Sequence, residues 1–64
     1  MPFITVKIKE GHSLERKRKM SEGIARCVAD TAEVPKDCVQ VVFEDINEDN
    51  WAVGGRIRSD HLEK

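Results

Sequence analysis

Residues 3–9 read FITVKIK, from Phe3 to Lys9. Side chains along an extended chain point alternately to opposite faces, which puts Ile4, Val6 and Ile8 on one side and Phe3, Thr5, Lys7 and Lys9 on the other. The alternation and the β-branched content predict a strand with one face toward a core. Pro2 stands directly ahead of it. Proline lacks an amide hydrogen and is tolerated as the first residue of a strand. Glu10-Gly11-His12 ends the run. Ser13 then suits the N-cap of a helix beginning near Leu14, with Glu15 in the first turn, where the helix macrodipole favours an anion.

From Leu14 to about Ala32 the period becomes helical. Met20, Ile24, Cys27, Val28 and Thr31 make a stripe of the width expected for a core-facing side. Lys17 intrudes at its N-terminal end, where a long stem can snorkel. The run ERKRK, residues 15–19, looks like a nucleic-acid patch when read linearly. Wound on a helix it spreads around the axis with no aromatic partner, so it reads as solvated surface. Pro35 stops the helix. Residues 38–45, CVQVVFED, predict a second strand, with Val39, Val41 and Phe43 opposed to Cys38, Gln40, Val42 and Glu44. INEDN (46–50) is a polar turn. In WAVGGRIR (51–58), Gly54 and Gly55 suit a tight turn or a bulge, followed by a short strand or hairpin. SDHLEK (59–64) reads as a loosely held tail, with His61 an ordinary tail residue.

A strand–helix–strand order with a connection this long favours a parallel pair. One helix covers one face of two strands, whereas parallel sheets are normally covered on both. The other face is left to self-association. Size points the same way: the 64 residues make a single domain, 1–64, and a chain of about that length buries only about 60% of its unfolded surface. Small chains of this kind need a staple or a partner. The two cysteines, Cys27 and Cys38, are too few for a disulfide framework, and Cys27 on the apolar stripe reads as a small buried hydrophobe, so the pair is expected to be reduced. No metal site is expected, because His12 and His61 are far apart and lie in no ligand-type spacing. Oligomerisation remains.

Eleven basic and twelve acidic side chains, net −1, exert no pull toward nucleic acid or a membrane surface. There is no apolar run long enough for a membrane span and no signal-peptide pattern, since Lys7 and Lys9 interrupt the only apolar start. A cytoplasmic protein is the expectation.

Met1-Pro2 at the start, a first strand ending in Glu10-Gly11, a polar-headed helix, Pro35 before the second strand, and NWAVGG over residues 50–55 together resemble the 4-oxalocrotonate tautomerase family. The resemblance covers nearly the whole chain; MPFI and NWAVGG are its specific parts. It implies an α/β (α+β) fold, a β-α-β subunit with parallel strands and a short C-terminal β-hairpin, assembled as a homohexamer, a trimer of dimers. It also implies cofactor-free interconversion of enol and keto forms of a small 2-hydroxy-dienoate or 2-keto acid. The proton carrier in the family is the proline exposed by removal of Met1, here Pro2.

Elementary chemistry agrees with that role. A group that both takes and returns a proton works best with a pKa near the operating pH, and an α-amino group starts at about 7.7–8.0. A proline amine is more basic. Apolar burial and nearby cations bring it down, with Phe3 and Trp51 as walls and Lys9 and His12 as neighbours.

The sequence also departs from the family's pattern. The arginine that grips a substrate carboxylate after Glu-Gly is here His12, and the arginine inside the second strand is Gln40. Histidine is only partly charged at neutral pH, and glutamine offers a neutral dipole. The candidate site is therefore Pro2 as catalytic base and acid, with Lys9, His12, Gln40 and Trp51 binding substrate and no metal. Arg56 and Arg58 read as hairpin surface or an intersubunit salt bridge. Two alternatives accompany this expectation. One is a hydratase or dehalogenase of unsaturated acids, drawing on the acids Glu44, Asp45, Glu48 and Asp49, which otherwise form a solvated loop. The other is a non-catalytic subunit of a hetero-hexamer.

Overall fold

The computed structural model describes residues 1–61. Strand β1 (Phe3–Lys9) leads to helix α1 (Leu14–Ala32), and a return leads to strand β2 (Gln40–Ile46). Two short strands, β3 (Ala52–Val53) and β4 (Arg56–Ile57), form an antiparallel hairpin, and a short helix α2 (Arg58–His61) follows. β1 and β2 are parallel, in register from Phe3 opposite Gln40 to Lys9 opposite Ile46. The β-α-β unit with a C-terminal hairpin is the architecture expected from the sequence.

Helix α1 starts where its capping residue puts it. The Ser13 hydroxyl accepts from the amide of Arg16 at 3.1 Å, with Glu15 in the first turn. It ends at Glu33, which adopts a left-handed conformation with φ 60° and donates its own amide to the Ala29 carbonyl. The ammonium of Lys17 lies 2.8 Å from the Asp45 carboxylate, so its stem crosses the apolar face and its charge ties α1 to β2. Glu22 accepts from Lys36 at 2.7 Å and pairs with Arg26, which ties α1 to the turn ahead of β2.

The second strand begins later than the alternation suggested. Residues Lys36–Cys38 form a 3₁₀ turn capped by Pro35, in which Cys38 N–H donates to Pro35 and Val39 N–H to Lys36. Those donors are spent locally, so the first ladder bond is Gln40 N–H to the Pro2 carbonyl, 3.0 Å. At the other end, Glu10 N–H donates to the Ile46 carbonyl and carries the pairing one residue past Asp45. The polar stretch also contains a 3₁₀ turn, Glu48–Asn50, capped by the Asn47 side chain. Arg58–His61 is helical rather than loose. The expectation for the rest of the tail, and for the His61 side chain, lies outside the described residues.

Of the apolar stripe on α1, Met20, Ile24 and Val28 are half-buried and Cys27 and Thr31 are exposed. Ala29 is the one buried apolar residue among those described, at 8% exposure, with Ser21, Ala25 and Val28 half-buried beside it. Cys27, expected in the core, is instead exposed, on the rim of an open groove with Met20, Gly23, Ile24 and Val28. Both cysteines are free thiols.

The inner sheet face is half-buried at Ile4, Val6, Ile8, Val41 and Phe43. The outer face is bare, with Phe3 63% and Val42 41% exposed. The radius of gyration is 15.1 Å, against about 11 Å for a compact chain of this length. An extent of 44 × 25 × 14 Å describes a slab with an arm. No helix among the described residues is long and apolar enough to cross a membrane.

Candidate active site

Pro2 is half-buried at the entrance to β1, and its carbonyl is held by the backbone of Gln40. The Gln40 side chain points the same way, its amide nitrogen 2.7 Å from the Met1 sulfur. These two predicted residues are therefore brought together: the ring of Pro2 and a neutral amide donor share one edge of the sheet.

The other three predicted residues sit elsewhere in the chain. Seven strand steps at about 3.3 Å place Lys9 roughly 23 Å from Pro2, longer than a small diacid. At that far end the Lys9 ammonium lies 3.8 Å from Glu48, and Glu48 in turn accepts from Arg58 Nε at 3.1 Å. The Arg58 guanidinium stands over the indole of Trp51, 4.8 Å from its centroid. His12 is half-buried in the turn between β1 and α1, beyond Gly11 at φ 112°, a conformation suited to glycine. The five predicted residues thus fall in two groups, Pro2 with Gln40 at one end of the sheet and Lys9, His12 and Trp51 toward the other.

Glu48 and Arg58 are the residues that sequence reasoning underrated. Arg58 is not a free surface charge, and its ion pair is within the chain. The hairpin register holds the signal for it. Gly54 and Gly55 both take positive φ, 62° and 83°, as a two-residue type I′ turn needs, and they set Val53 opposite Arg56 and Ala52 opposite Ile57. One more step sets Trp51 opposite Arg58, whose amide donates to the Trp51 carbonyl at 2.6 Å. The acidic cluster, by contrast, is divided: Asp45 is taken by Lys17 and Glu48 by Lys9 and Arg58. Among the described residues no group of His, Cys, Asp and Glu is arranged to hold a metal ion.

Residues 2–60 match the family model described as tautomerase enzyme. The chain belongs to the tautomerase family. It is 35% identical over 60 residues to a probable tautomerase of Bacillus cereus, covering 94% of this chain and 98% of that one. It is also 35% identical over 60 residues to a 2-hydroxymuconate tautomerase of Bacillus subtilis, covering 94% and 97%. Among solved structures it is similar to YwhB, a homologue of 4-oxalocrotonate tautomerase, at 34% identity and TM-score 0.87, covering 92% of this chain and 97% of that one. Tautomerase membership makes isomerase chemistry the general activity to be explained.

Proposed function

We propose that this tautomerase interconverts the enol and keto forms of a small 2-oxo acid, with Pro2 as the base and acid once Met1 is removed. The observation that carries the reading is the placement of Pro2. It is half-buried, its carbonyl accepts from the Gln40 backbone amide, and the Gln40 side-chain amide reaches to Met1 directly ahead of it. The proline takes a proton from one atom of the substrate and returns it to another, and Gln40 donates to the oxygen that gains charge. A neutral donor stabilises a developing enolate less than a cation does. By analogy with loss of one oxyanion donor, the deficit is on the order of 10²–10³ in rate. A diacid loses more by this than a monoacid.

Lys9, His12 and Trp51 then serve the proline of another copy. The two groups are too far apart to close on one small molecule, and the bare outer sheet face with Phe3 and Val42 gives copies a surface on which to meet. A homohexamer built as a trimer of dimers satisfies both needs. No cofactor, nucleic acid or membrane enters this reading.

The test follows ketonisation of phenylenolpyruvate and of 2-hydroxymuconate by ultraviolet absorbance, using protein whose loss of Met1 is confirmed by intact mass. Turnover that disappears in Pro2→Ala is the expected result, with the monoacid preferred. Equal rates in the parent and in Pro2→Ala for both enols would overturn the proposal.

A further inference from the structure

Arg58 is fixed at three points, more than a surface ion pair requires. Its amide donates to the Trp51 carbonyl at 2.6 Å, its Nε donates to Glu48 at 3.1 Å, and its guanidinium lies over the Trp51 ring at 4.8 Å. The acid that fixes it is itself packed, since the Glu48 side chain is 12% exposed. With Nε engaged, the two terminal nitrogens Nη1 and Nη2 remain as a parallel pair of donors. Neither is hydrogen-bonded among the described residues. Arg58 and Arg56 line one open cleft, with Val53 and Gly54 as its other walls.

Ion pairing at this place is unequally shared. Glu48 serves both Lys9 and Arg58, so one acid stands against two bases, and Arg56 adds a third with no ion pair among the described residues. Asp49 and Asp60, the neighbouring acids, pair with none of them. A carboxylate accepts two parallel N–H bonds from a guanidinium, and an arginine already held in place loses little freedom on binding one.

We propose that this cleft is a carboxylate subsite. The Nη1/Nη2 edge of Arg58, with Arg56 alongside, holds a carboxylate of a small organic mono- or dicarboxylic acid, and Val53 covers its carbon chain. The proposal rests on the tautomerase reading above and deepens it: the hairpin supplies the permanently charged, two-pronged partner that the second strand lacks at Gln40. Glu48 is a positioning residue, acting on the ligand only through Arg58.

Isothermal titration of the full-length protein with adipate and with hexanoate tests this directly. Hydrogen bonds to charged groups of this kind correspond to about tenfold or more in affinity. Arg58→Ala is expected to weaken adipate binding by at least that factor. Arg58→Lys keeps the charge but not the fork and is expected to fall between it and the parent; it also serves where Arg58→Ala loses assembly by sedimentation. Glu48→Gln is expected to weaken adipate binding, with Glu48→Asp recovering part of it. Unchanged adipate and hexanoate affinity in both Arg58 variants overturns the subsite, as does absence of binding to the parent. Enol turnover measured beside it separates the two readings. Pro2-dependent turnover with Arg58-independent binding removes only the subsite. Arg58-dependent binding without Pro2-dependent turnover removes only the tautomerase assignment of substrate.

Discussion

The backbone amide of Gln40 donates to the carbonyl of Pro2 at 3.0 Å, so the first residue of β2 and the residue ahead of β1 are neighbours at one edge of the sheet. In the proposed mechanism, position 40 therefore supplies the group that polarises a substrate held beside the proline. Gln40→Arg is expected to raise kcat/KM for 2-hydroxymuconate on the order of 10–10²-fold, because it adds a charged, two-pronged donor. Phenylenolpyruvate should gain much less. Equal gains for the two enols, in the same absorbance assay, would count against a role for this position in choosing diacids.

Blocking the proline nitrogen should be as damaging as replacing the proline. Protein that keeps Met1, prepared in cells lacking methionine aminopeptidase, is expected to lose about 10²–10⁴ in kcat, the range for removing a general acid–base group. Trimming Met1 afterward with the purified peptidase should restore the rate. Full activity in the untrimmed protein would rule the nitrogen out.

The bare sheet face predicts a specific assembly defect. Phe3 is 63% and Val42 41% exposed in the single chain. Burying an apolar side chain of this size contributes about 1.5–3 kcal/mol, and a buried unpaired carboxylate costs more than that gain. Val42→Asp should shift the sedimentation profile to smaller species and lower Tm at a fixed chain concentration. An unaltered profile would show that copies meet elsewhere.

The C-terminus of α1 carries correctable strain. Glu33 is left-handed at φ 60°, a region where a side chain costs roughly 1–2 kcal/mol and glycine is at ease. Glu33→Gly is expected to raise stability by about 1 kcal/mol, since glycine's extra unfolded-state freedom offsets part of the relief. Denaturant unfolding with an unchanged m-value checks it.

Acid should loosen the tie between α1 and the turn before β2. The hydrogen bond from Lys36 and then that from Arg26 hold the Glu22 carboxyl below its ordinary value of 4.5. A carboxylate with a lowered folded-state pKa contributes stability that is present above the unfolded value and lost as pH falls through the folded one. Glu22 is exposed, so the contribution is small and screened by salt. Tm of the parent should exceed that of Glu22→Gln near neutral pH, and the two should converge below about pH 4.5. A constant gap across that range would mean the effect is not electrostatic.

Much of the fold is legible in FITVKIK and the helix that follows, because alternation, a serine cap and a proline stop are local properties of the chain. The start of β2 is less so. Val39 alternates correctly, yet its amide is spent on Lys36 in a 3₁₀ turn, and that competition cannot be seen in a pattern of apolar residues. Cys27 lies on the apolar stripe of α1 but at an open groove, and apolarity alone does not say which part of a stripe is covered. At the site, Pro2 and Gln40 follow from strand register, and Trp51 opposite Arg58 follows from the two-glycine turn once that turn is taken literally. The partnership of Glu48 with Lys9 and Arg58 joins residues distant in sequence, and nothing local announces it.

With Ala29 alone buried among the described residues, the chain has almost no inside of its own. The usual division between a slowly changing interior and a freely drifting surface then does not apply to it. In the proposed assembly, substitutions at Phe3 or Val42, which stand in the open in a single copy, would be judged by the fit of every copy they meet. One codon change is felt as many times as there are subunits. Positions 12 and 40, where this chain departs from the family's two arginines, stand outside that one buried residue.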